Sequence, residues 1–361
     1  MWSDIDYLNN YQDFTFDPVK FNGLGEFVDD LHTANKHYIP IIDAGIAKRK
    51  GYEAYENGLN QDVFIKTDAG DIFTGQVWPD DAAFPDWFAP NTAAWWSKWL
   101  SDFQSKVAFD GLWQDMNEAS NFCSGVCYEN ERAVDPVLNK LPYTPTGRNL
   151  EDKSITLDAK HANGYTELDT HSLFGTMEIK ATHDWFKEQG KRTMIIERSA
   201  YAGMGKYGSR WLGDNFSSAE YMGYSVTGIM SHNIAGIAMV GSDICGFIGN
   251  TTPELCARWY TLGAFYPFSR NHNGWGWNSQ EPWVFANDIY ESTTSYFDII
   301  QSAMRTKLSM IRYYYTWMAM NSYGGGTFIA PLFFSFPDDE GSLNAPMETN
   351  IMVGPFLKLS I

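Results

Sequence analysis

Two short segments of the chain place an aspartate close behind a tryptophan at the end of an apolar run. Asp115 lies in Trp113-Gln114-Asp115-Met116-Asn117-Glu118, and Asp214 lies in Trp211-Leu212-Gly213-Asp214-Asn215. Glycoside cleavage needs such a pair, because one carboxylate acts ionised while the other carries a proton. Burial and proximity separate the two pKa values, since like charges in a dry cleft do not both ionise at low cost. The two segments therefore predict glycosidase chemistry at Asp115 and Asp214.

The elements that would position these residues are short β-rich runs alternating with helical patterns, which favours a parallel sheet. The predicted strands are His37–Asp43, Gly111–Asp115, Thr193–Arg198, Arg210–Asp214, Ile237–Asp243 and Thr327–Phe336. The predicted helices are Asn22–Lys36, Ala94–Val107, His171–Gln189 and Asp288–Met320. Charged residues near the carboxyl ends of successive strands are typical of a (β/α)8 barrel, whose active site is built from many strands. These residues are Asp43, Asp115, Arg198, Asp214 and Asp243.

The predicted fold class is therefore α/β, a (β/α)8 TIM barrel over residues 1–336 with long βα-loop insertions. We expect the insertions, residues 44–93 and 119–168, to form lobes over the barrel mouth. Residues 337–361 are expected to begin a C-terminal β-rich domain. The run from Trp2 to Tyr7 has the pattern of a strand end, and with the six strands above it gives seven. A barrel of this class has eight strands, so we expect the first strand to lie upstream of Met1. The apolar ends favour an internal piece of a longer protein, prone to aggregate alone.

Composition narrows the classes of function. The chain has 26 Lys and Arg against 44 Asp and Glu, and its net charge of −18 disfavours nucleic acid because phosphates repel acidic surfaces. No apolar run approaches the roughly 18 residues of a candidate membrane span. Aromatic residues make up 16% of the chain and include 14 Trp, which suits carbohydrate or other flat-ligand sites and also a large core.

The cysteines and one glycine-rich segment each have competing interpretations. The four cysteines form two close pairs, Cys123/Cys127 and Cys245/Cys256, without the spacing of a zinc site. Such pairs suit disulfides in an oxidising compartment, and buried free thiols in a cytosolic enzyme are the alternative. The segment Gly203–Gly208 matches G-x-G-x-x-G, but the strand predicted from Arg210 leaves no room for the helix that a dinucleotide site requires. We expect a tight turn there.

Eight motifs, in order, carry a resemblance to a known family. They are Trp2-Ser3-Asp4-Ile5-Asp6-Tyr7, Ile41-Ile42-Asp43, Gly75-Gln76-Val77-Trp78-Pro79, Trp113-Gln114-Asp115-Met116-Asn117-Glu118, Arg198-Ser199-Ala200-Tyr201-Ala202-Gly203, Trp211-Leu212-Gly213-Asp214-Asn215, Gly241-Ser242-Asp243-Ile244-Cys245-Gly246-Phe247 and Arg270-Asn271-His272-Asn273. The chain resembles the catalytic barrel of glycoside hydrolase family 31, in its maltase and acid α-glucosidase branch. Departures from the family pattern, such as Ala44, Asp80 and Met204, fall in loops.

The resemblance implies a role for each matched residue. Asp115 would be the nucleophile and Asp214 the acid/base. Asp4, Arg198, Asp243 and His272 would hold the hydroxyls of the terminal sugar. The pocket walls would be Ile41, Trp78, Trp113, Met116, Trp211 and Phe247. The resemblance implies no metal or organic cofactor. It also implies a disulfide between Cys245 and Cys256, with Cys123–Cys127 as a second bridge.

The implied activity is that of a retaining, exo-acting α-glucosidase on terminal non-reducing α-1,4-linked glucose of maltose-like oligosaccharides. An α-xylosidase or an endoplasmic-reticulum glucan-trimming glucosidase is the alternative within the family. An inactive barrel subunit is the alternative from another class, and it would have lost Asp115 or Asp214. The resemblance also implies flanking β-sandwich domains as partners and a secretory location, extracellular or lysosome-like.

Several neighbouring residues have simpler interpretations. We expect Glu118 to position its neighbours, Asp6 to cap a loop, and Trp87, Trp95 and Trp96 to pack in the core or a lobe. The histidines His161, His171 and His183 have no ligand spacing and are expected to be ordinary structural or surface residues. Of the sequons at Asn215 and Asn250, we expect a glycan at Asn250 and none beside Asp214.

Overall fold

The computed structural model describes residues 1–128, 143–144, 149–192, 194–346 and 349–361. The chain divides into two compact units, an N-terminal unit, Met1–Gly208, and a C-terminal unit, Ser209–Ile361. Among the described residues, no helix has both the length and the apolar character needed to cross a membrane.

The N-terminal unit is built on a parallel sheet covered by helices. In chain order its elements are β1 (Trp2–Ser3), α1 (Leu24–Thr33), β2 (Ile39–Asp43), β3 (Ile46–Ala47), α2 (Glu53–Gln61), β4 (Gly75–Val77), β5 (Asp80–Ala83), α3 (Thr92–Gln104), β6 (Leu112–Asp115), α4 (Glu167–Thr170), α5 (Phe174–Glu188) and β7 (Ile195–Glu197). Strands β1, β2, β6 and β7 pair in that order, each parallel to the next. Both β2 and β6 are buried at every position, as expected of parallel strands with covered faces.

The predicted insertion 44–93 forms structure of its own. It contains α2 and an antiparallel sheet in the order β3-β5-β4. Part of the predicted insertion 119–168 lies outside the described residues. Thr193, the first residue of a predicted strand, also lies outside them.

Helices α1, α3 and α5 confirm three of the helical predictions; α1 and α5 are shorter at both ends, and α3 begins two residues earlier and ends three residues earlier than predicted. Helix α3 places Trp95 and Trp96 in the core with no exposed surface. The indole Nε1 of Trp95 donates to the carbonyl of Ala54 on α2 at 3.1 Å, and that of Trp96 donates to Oγ1 of Thr182 on α5 at 2.9 Å. Both tryptophans therefore have the packing role expected of them, and their polar atoms fix α3 between its neighbours.

A buried charge cluster ties the segment around residue 161 to the rest of the N-terminal unit. Nδ1 of His161 lies 2.9 Å from Asp86, and Nε2 lies 3.0 Å from Glu167, with all three side chains at most 4% exposed. Burial favours the neutral imidazole, but the two carboxylates outweigh it and raise the pKa of His161 to about 9. Since both ring nitrogens face acceptors, the imidazolium form is the one that satisfies this site. His161 is structural, as expected.

The C-terminal unit contains two short parallel strand pairs, a group of helices and an antiparallel sheet. Its elements are β8 (Ser209–Trp211), α6 (Ala219–Ile234), β9 (Val240–Gly241), β10 (Asp243–Ile244), α7 (Pro253–Gly263), β11 (Arg270–Asn271), β12 (Ile289–Glu291), β13 (Thr294–Ser295), α8 (Tyr296–Ser309), α9 (Ile311–Gly324), β14 (Ile329–Pro331), α10 (Leu332–Ser335), α11 (Glu340–Asn344), β15 (Asn350–Val353) and β16 (Leu357–Ser360). Strand β8 pairs with β9, and β10 pairs with β11.

Two strands predicted for this unit are shorter than expected. The run Arg210–Asp214 is a strand only to Trp211, because Gly213 adopts a left-handed conformation (φ 76°) and turns the chain before Asp214. The run Ile237–Asp243 splits at Ser242 into β9 and β10, which pair with different strands. The segment Gly203–Gly208 holds a single 3-10 turn before β8, so the absence of a nucleotide-binding helix there is confirmed.

Two further predictions were wrong in detail. The block Asp288–Met320 is a β12–β13 hairpin followed by α8 and α9, which separate at Met310. The run Thr327–Phe336 is a strand only over β14, and that strand is antiparallel to β15. Pro331 ends it, because proline donates no ladder hydrogen bond and its fixed φ suits the start of a helix, here α10.

Both predicted disulfides are present. Cys123 bonds Cys127, with Cα atoms 5.2 Å apart, and Cys245 bonds Cys256, with Cα atoms 4.5 Å apart. The second bridge joins the residue after β10 to helix α7.

The His161 cluster predicts a pH-dependent stability. A pKa raised from near 6.5 to about 9 stabilises the folded state fully below pH 6.5, and this contribution disappears as pH rises to 9. The difference corresponds to about 3 kcal/mol of unfolding free energy. We expect His161→Gln to be less stable than the parent at pH 6 and to lack this pH slope. Urea unfolding from pH 5 to 10 measures it, with the exposed His37→Gln as control; a variant with the parent's slope would contradict the assignment.

Candidate active site

The carboxyl ends of β2 and β6 place two aspartates side by side in the N-terminal unit. Asp43 and Asp115 are direct register partners on these neighbouring parallel strands. Both are buried, Asp43 at 3% exposed and Asp115 at 8%. The residue after β7, Arg198, comes from the next strand of the same sheet, and its amide donates to the carbonyl of Gln114 at 3.2 Å. Three strand ends thus converge, as the barrel prediction requires.

Arg198 contacts the candidate nucleophile directly. Its Nη1 lies 2.9 Å from Oδ1 of Asp115. Its Nε and Nη2 donate to the two carboxylate oxygens of Glu118 at 2.8 and 3.0 Å. Such fork-like pairing fixes the guanidinium in one plane. Glu118 thereby positions Arg198, which is the role expected of it.

The backbone after Asp115 adds a second donor. Met116 adopts a left-handed conformation (φ 57°), and its amide donates to Oδ1 of Asp115 at 2.7 Å. A left-handed methionine costs energy, and such strain is commonly kept where a side chain must be aimed. Met116 is 4% exposed, and its Sδ lies 3.2 Å from Nη2 of Arg198. The predicted residues Asp115, Met116 and Arg198 are therefore one contact group.

A second carboxyl pair lies behind this group. The amide of Asp43 donates to Oδ1 of Asp13 at 2.8 Å, and Asp13 is 1% exposed. Burial raises the pKa of Asp13 to about 8. Burial, then the charges of Asp13, Asp115 and Asp4, raise the pKa of Asp43 well above its usual range, with Arg198 acting in the opposite direction. Because like charges in a buried site do not ionise together, this pair retains protons at neutral pH.

Among the other predicted residues of the N-terminal unit, Ile41 and Trp113 are register partners on β2 and β6. Oδ1 of Asp4 accepts from the amide of Ile5 at 2.7 Å, which starts a 3-10 turn after β1. Trp113 is 3% exposed and meets Trp2 edge-on at 6.3 Å, and Ile41 has no exposed surface. Trp78 lies at the tip of the β4–β5 hairpin, 41% exposed and edge-on to Phe122 at 5.1 Å. Contact of Ile41 with a sugar stays a prediction.

In the C-terminal unit, Asn215 fixes the turn that carries Asp214. Asn215 is 6% exposed, and its Nδ2 donates to Oγ of Ser242 at 2.7 Å and to the carbonyl of Asp243 at 3.0 Å. Its Oδ1 accepts from the amide of Phe247 at 3.0 Å. Asp214, immediately before it, is exposed. An exposed carboxyl on an anchored turn suits a group that must reach a substrate.

A buried ion pair organises the rest of this unit's predicted residues. Nη2 of Arg270 donates to Oδ1 of Asp243 at 2.9 Å, and both side chains are at most 5% exposed. The same guanidinium lies 5.4 Å from the ring centre of Trp211. The rings of Phe247 and His272 lie 5.1 Å apart. The N-terminal unit therefore brings together Asp115, Met116 and Arg198. The C-terminal unit places Asp243 and Trp211 around Arg270, and Phe247 beside His272.

Sequence reasoning missed Asp13 and the role of Arg270. Arg270 had a usable signal, because a charged residue on a buried strand needs an opposite charge and Asp243 stands on a nearby strand. Asp13 lies in an irregular segment with no periodicity, so nothing in the sequence points to its place behind Asp43.

Comparison with known proteins gives this geometry a class and a family. The family model described as the TIM-barrel domain of glycosyl hydrolases family 31 matches residues 1–317. The fold is thus the TIM barrel of a glycoside hydrolase, as predicted. The chain belongs to glycosyl hydrolase family 31.

Individual relatives agree with this assignment. The chain is 39% identical to a probable alpha-glucosidase of Oryza sativa over 94% of its own length, and 37% identical to the lysosomal alpha-glucosidase of Rattus norvegicus over 99%. A crystal structure of a glucosidase II alpha subunit matches 98% of the chain and 35% of that structure, with a TM-score of 0.84 at 27% identity. The chain spans about 37% of the length of these two relatives.

Because Asp13 is buried beside Asp43, we expect replacement of its carboxyl by a neutral amide to stabilise the folded state. A carboxyl whose folded pKa is raised to about 8 makes the folded state less stable as pH rises from 4 to 8. Asp13→Asn keeps the acceptor for the Asp43 amide and removes the charge, so its stability advantage over the parent should grow across that range. Thermal unfolding at pH 4, 6 and 8 measures it. Asp17→Asn, an exposed carboxyl whose pKa is lowered by the amides of Lys20 and Val19, is the control and should show no gain.

The Asn215 contacts predict an empty sequon. Because the Nδ2 of Asn215 is buried and donates to two acceptors, Asn215 should carry no glycan in protein secreted from a eukaryotic host. Asn250 is exposed, and its Oδ1 accepts from the amide of Asn278 at 2.8 Å; we expect a glycan there. Glycopeptide mapping decides both, and an occupied Asn215 in folded protein would refute the packing described for it.

Proposed function

We propose that the protein is a retaining, exo-acting α-glucosidase that removes terminal α-1,4-linked glucose from the non-reducing ends of maltose-like oligosaccharides. The observation that carries the proposal is the position of Asp115 at the end of β6, where Arg198 and the Met116 amide both contact its Oδ1, in a family 31 barrel. The names of the relatives as alpha-glucosidases support the substrate class.

The proposed reaction is a double displacement. Asp115 attacks the anomeric carbon while the bond to the leaving oxygen breaks and Asp214 donates its proton to that oxygen. Asp214, now ionised, takes a proton from water, and the resulting hydroxide displaces Asp115 from the same carbon. Two inversions at one carbon give net retention. Arg198 and the Met116 amide contact Oδ1 of Asp115 and hold the carboxylate in place for the attack.

The remaining predicted residues are proposed to bind the terminal glucose. Asp4, Arg198, Asp243 and His272 would bond its hydroxyls, since charged groups bind a hydroxyl that must not move during reaction. Trp78, Trp113, Met116, Trp211 and Phe247 would form the pocket walls, with Ile41 at the edge. The buried Arg270 supports Asp243 and Trp211 from behind.

The alternatives within the family are an α-xylosidase and a glucan-trimming glucosidase of the endoplasmic reticulum. The similarity to the glucosidase II alpha subunit keeps the second open. The alpha-glucosidase relatives have higher sequence identity to the chain, which favours the maltose-type substrate. An inactive barrel subunit is disfavoured because Asp115 and Asp214 are both present.

We also propose a secretory location, extracellular or lysosome-like. Two disulfides form and persist in oxidising compartments, and three of the relatives are lysosomal alpha-glucosidases. Flanking β-sandwich domains are the proposed partners, since the relatives are longer than this chain.

Substitution of either carboxylate tests the proposal. Asp115→Asn and Asp214→Asn should each lower kcat/KM on maltose by at least about a thousandfold, because one step of the double displacement is lost. Asp102→Asn, which removes half of an exposed ion pair with Lys98 on α3, is the matched control and should leave turnover unchanged. The protein is produced with its natural flanking sequence.

The choice of substrate separates the alternatives. We expect turnover of aryl α-glucosides and maltose with negligible turnover of β-glucosides, and preference for α-xylosides would favour the alternative. Near-parental activity of Asp115→Asn would refute the catalytic assignment.

A further inference from the structure

The segment from His272 to Trp283, here called the aromatic loop, exposes an unusual amount of indole surface. Trp275 is 98% exposed, Trp283 67% and Trp277 43%. Tryptophan is strongly favoured in interiors, and full exposure of its ring forgoes a large hydrophobic gain. Exposed aromatic groups of this kind commonly mark a binding surface.

The aromatic loop is anchored at its base. Gln280 is 2% exposed, and its Nε2 donates to the carbonyl of Gly246 at 3.0 Å and to Oδ1 of Asn271 at 2.9 Å. The amide of Asn278 donates to Oδ1 of Asn250 at 2.8 Å, and Nδ2 of Asn273 donates to the carbonyl of Asn278 at 2.9 Å. The tryptophans therefore stand on a closed loop whose ends are fixed, which limits the entropy lost when a ligand binds.

The aromatic loop is continuous with residues of the proposed sugar site. It begins at His272, directly after β11, and in TIM barrels the loops after the strands carry the active site. The amide of Gly274 donates to the carbonyl of Phe247 at 2.9 Å. A Cβ at Gly274 would lie 3.1 Å from the Phe247 ring, so the backbone packs against that ring. Trp275 therefore comes directly after Gly274, which contacts Phe247, and three residues after His272.

The chemistry of the aromatic loop fits an uncharged sugar chain. The part of the loop that carries Trp275 and Trp277, residues 273–280, reads Asn-Gly-Trp-Gly-Trp-Asn-Ser-Gln and has no charged side chain, and Glu281 follows it at the base of the loop. Indole rings pack against the C–H faces of pyranoses, and amides exchange hydrogen bonds with hydroxyls. A cationic or anionic partner would find no complementary charge in this stretch.

We propose that Trp275 and Trp277 form a stacking platform for the glucose units of an α-glucan that lie beyond the terminal, cleaved unit. The platform would make longer glucans better substrates than short ones. This inference rests on the proposed α-glucosidase function.

Kinetics against chain length test the platform. Trp275→Ala and Trp277→Ala should lower kcat/KM for maltoheptaose roughly five- to tenfold and leave an aryl α-glucoside within about twofold of the parent. Trp275→Phe should recover part of the loss, because a smaller ring still stacks. Tyr323→Ala removes another ring that is 91% exposed, on α9, and is the matched control, with no change expected on either substrate.

The outcomes separate this inference from the proposed function. If the parent hydrolyses α-glucosides and the tryptophan variants lose nothing on maltoheptaose, or lose equally on both substrates, the platform is refuted and the function stands. A change in association state on sedimentation with unchanged kinetics would assign the tryptophans to a protein contact and also refute it. If the parent hydrolyses no α-glucoside, fluorescence titration of the parent with maltoheptaose tests the platform separately. Binding that is lost in Trp275→Ala but kept in Tyr323→Ala supports the platform. Absence of binding to the parent refutes it.

Discussion

The contact of Arg198 with Asp115 is the interaction on which the chemistry of the N-terminal unit depends. The guanidinium faces Asp115 on one side and Glu118 on the other, 2.9 and 2.8 Å away. The carboxyls of Asp43 and Asp13 lie behind it, and burial raises the pKa of each. Arg198 fixes the Asp115 carboxylate in one position, which a nucleophilic carboxylate requires.

The sheet supplies this contact through its register. Asp43 and Asp115 are partners across β2 and β6, and Arg198 follows the strand on the other side of β6. Because parallel strands present their carboxyl ends at one edge, residues far apart in sequence meet there. In the C-terminal unit, Asn215 and Arg270 serve a similar purpose by fixing the Asp214 turn and the Asp243 side chain.

Much of this could be predicted from the sequence, and the failures have physical reasons. Strand-end charges and short apolar runs identified β2 and β6, since these signals are local and periodic. The extents of β8 and β14 were overestimated, because Gly213 and Pro331 interrupt apolar runs that otherwise read as continuous strands. Asp13 could not be found, because its role arises only when an irregular segment folds against Asp43. The charge on His161 could not be predicted either, because it depends on Asp86, which lies 75 residues away in sequence, as well as on the nearby Glu167.

Asp115 is proposed to form a covalent bond to the sugar, and trapping of that adduct would reveal the bond itself. Incubation with 5-fluoro-α-D-glucopyranosyl fluoride should allow glycosylation and slow hydrolysis, because the fluorine destabilises both positively charged transition states. Peptide mapping by mass spectrometry should then find one fluoroglucosyl group per protein, on the peptide and at the side chain of Asp115. An adduct on Glu118, Asp43 or another carboxyl, or turnover of the reagent with inversion and no adduct, would contradict the account.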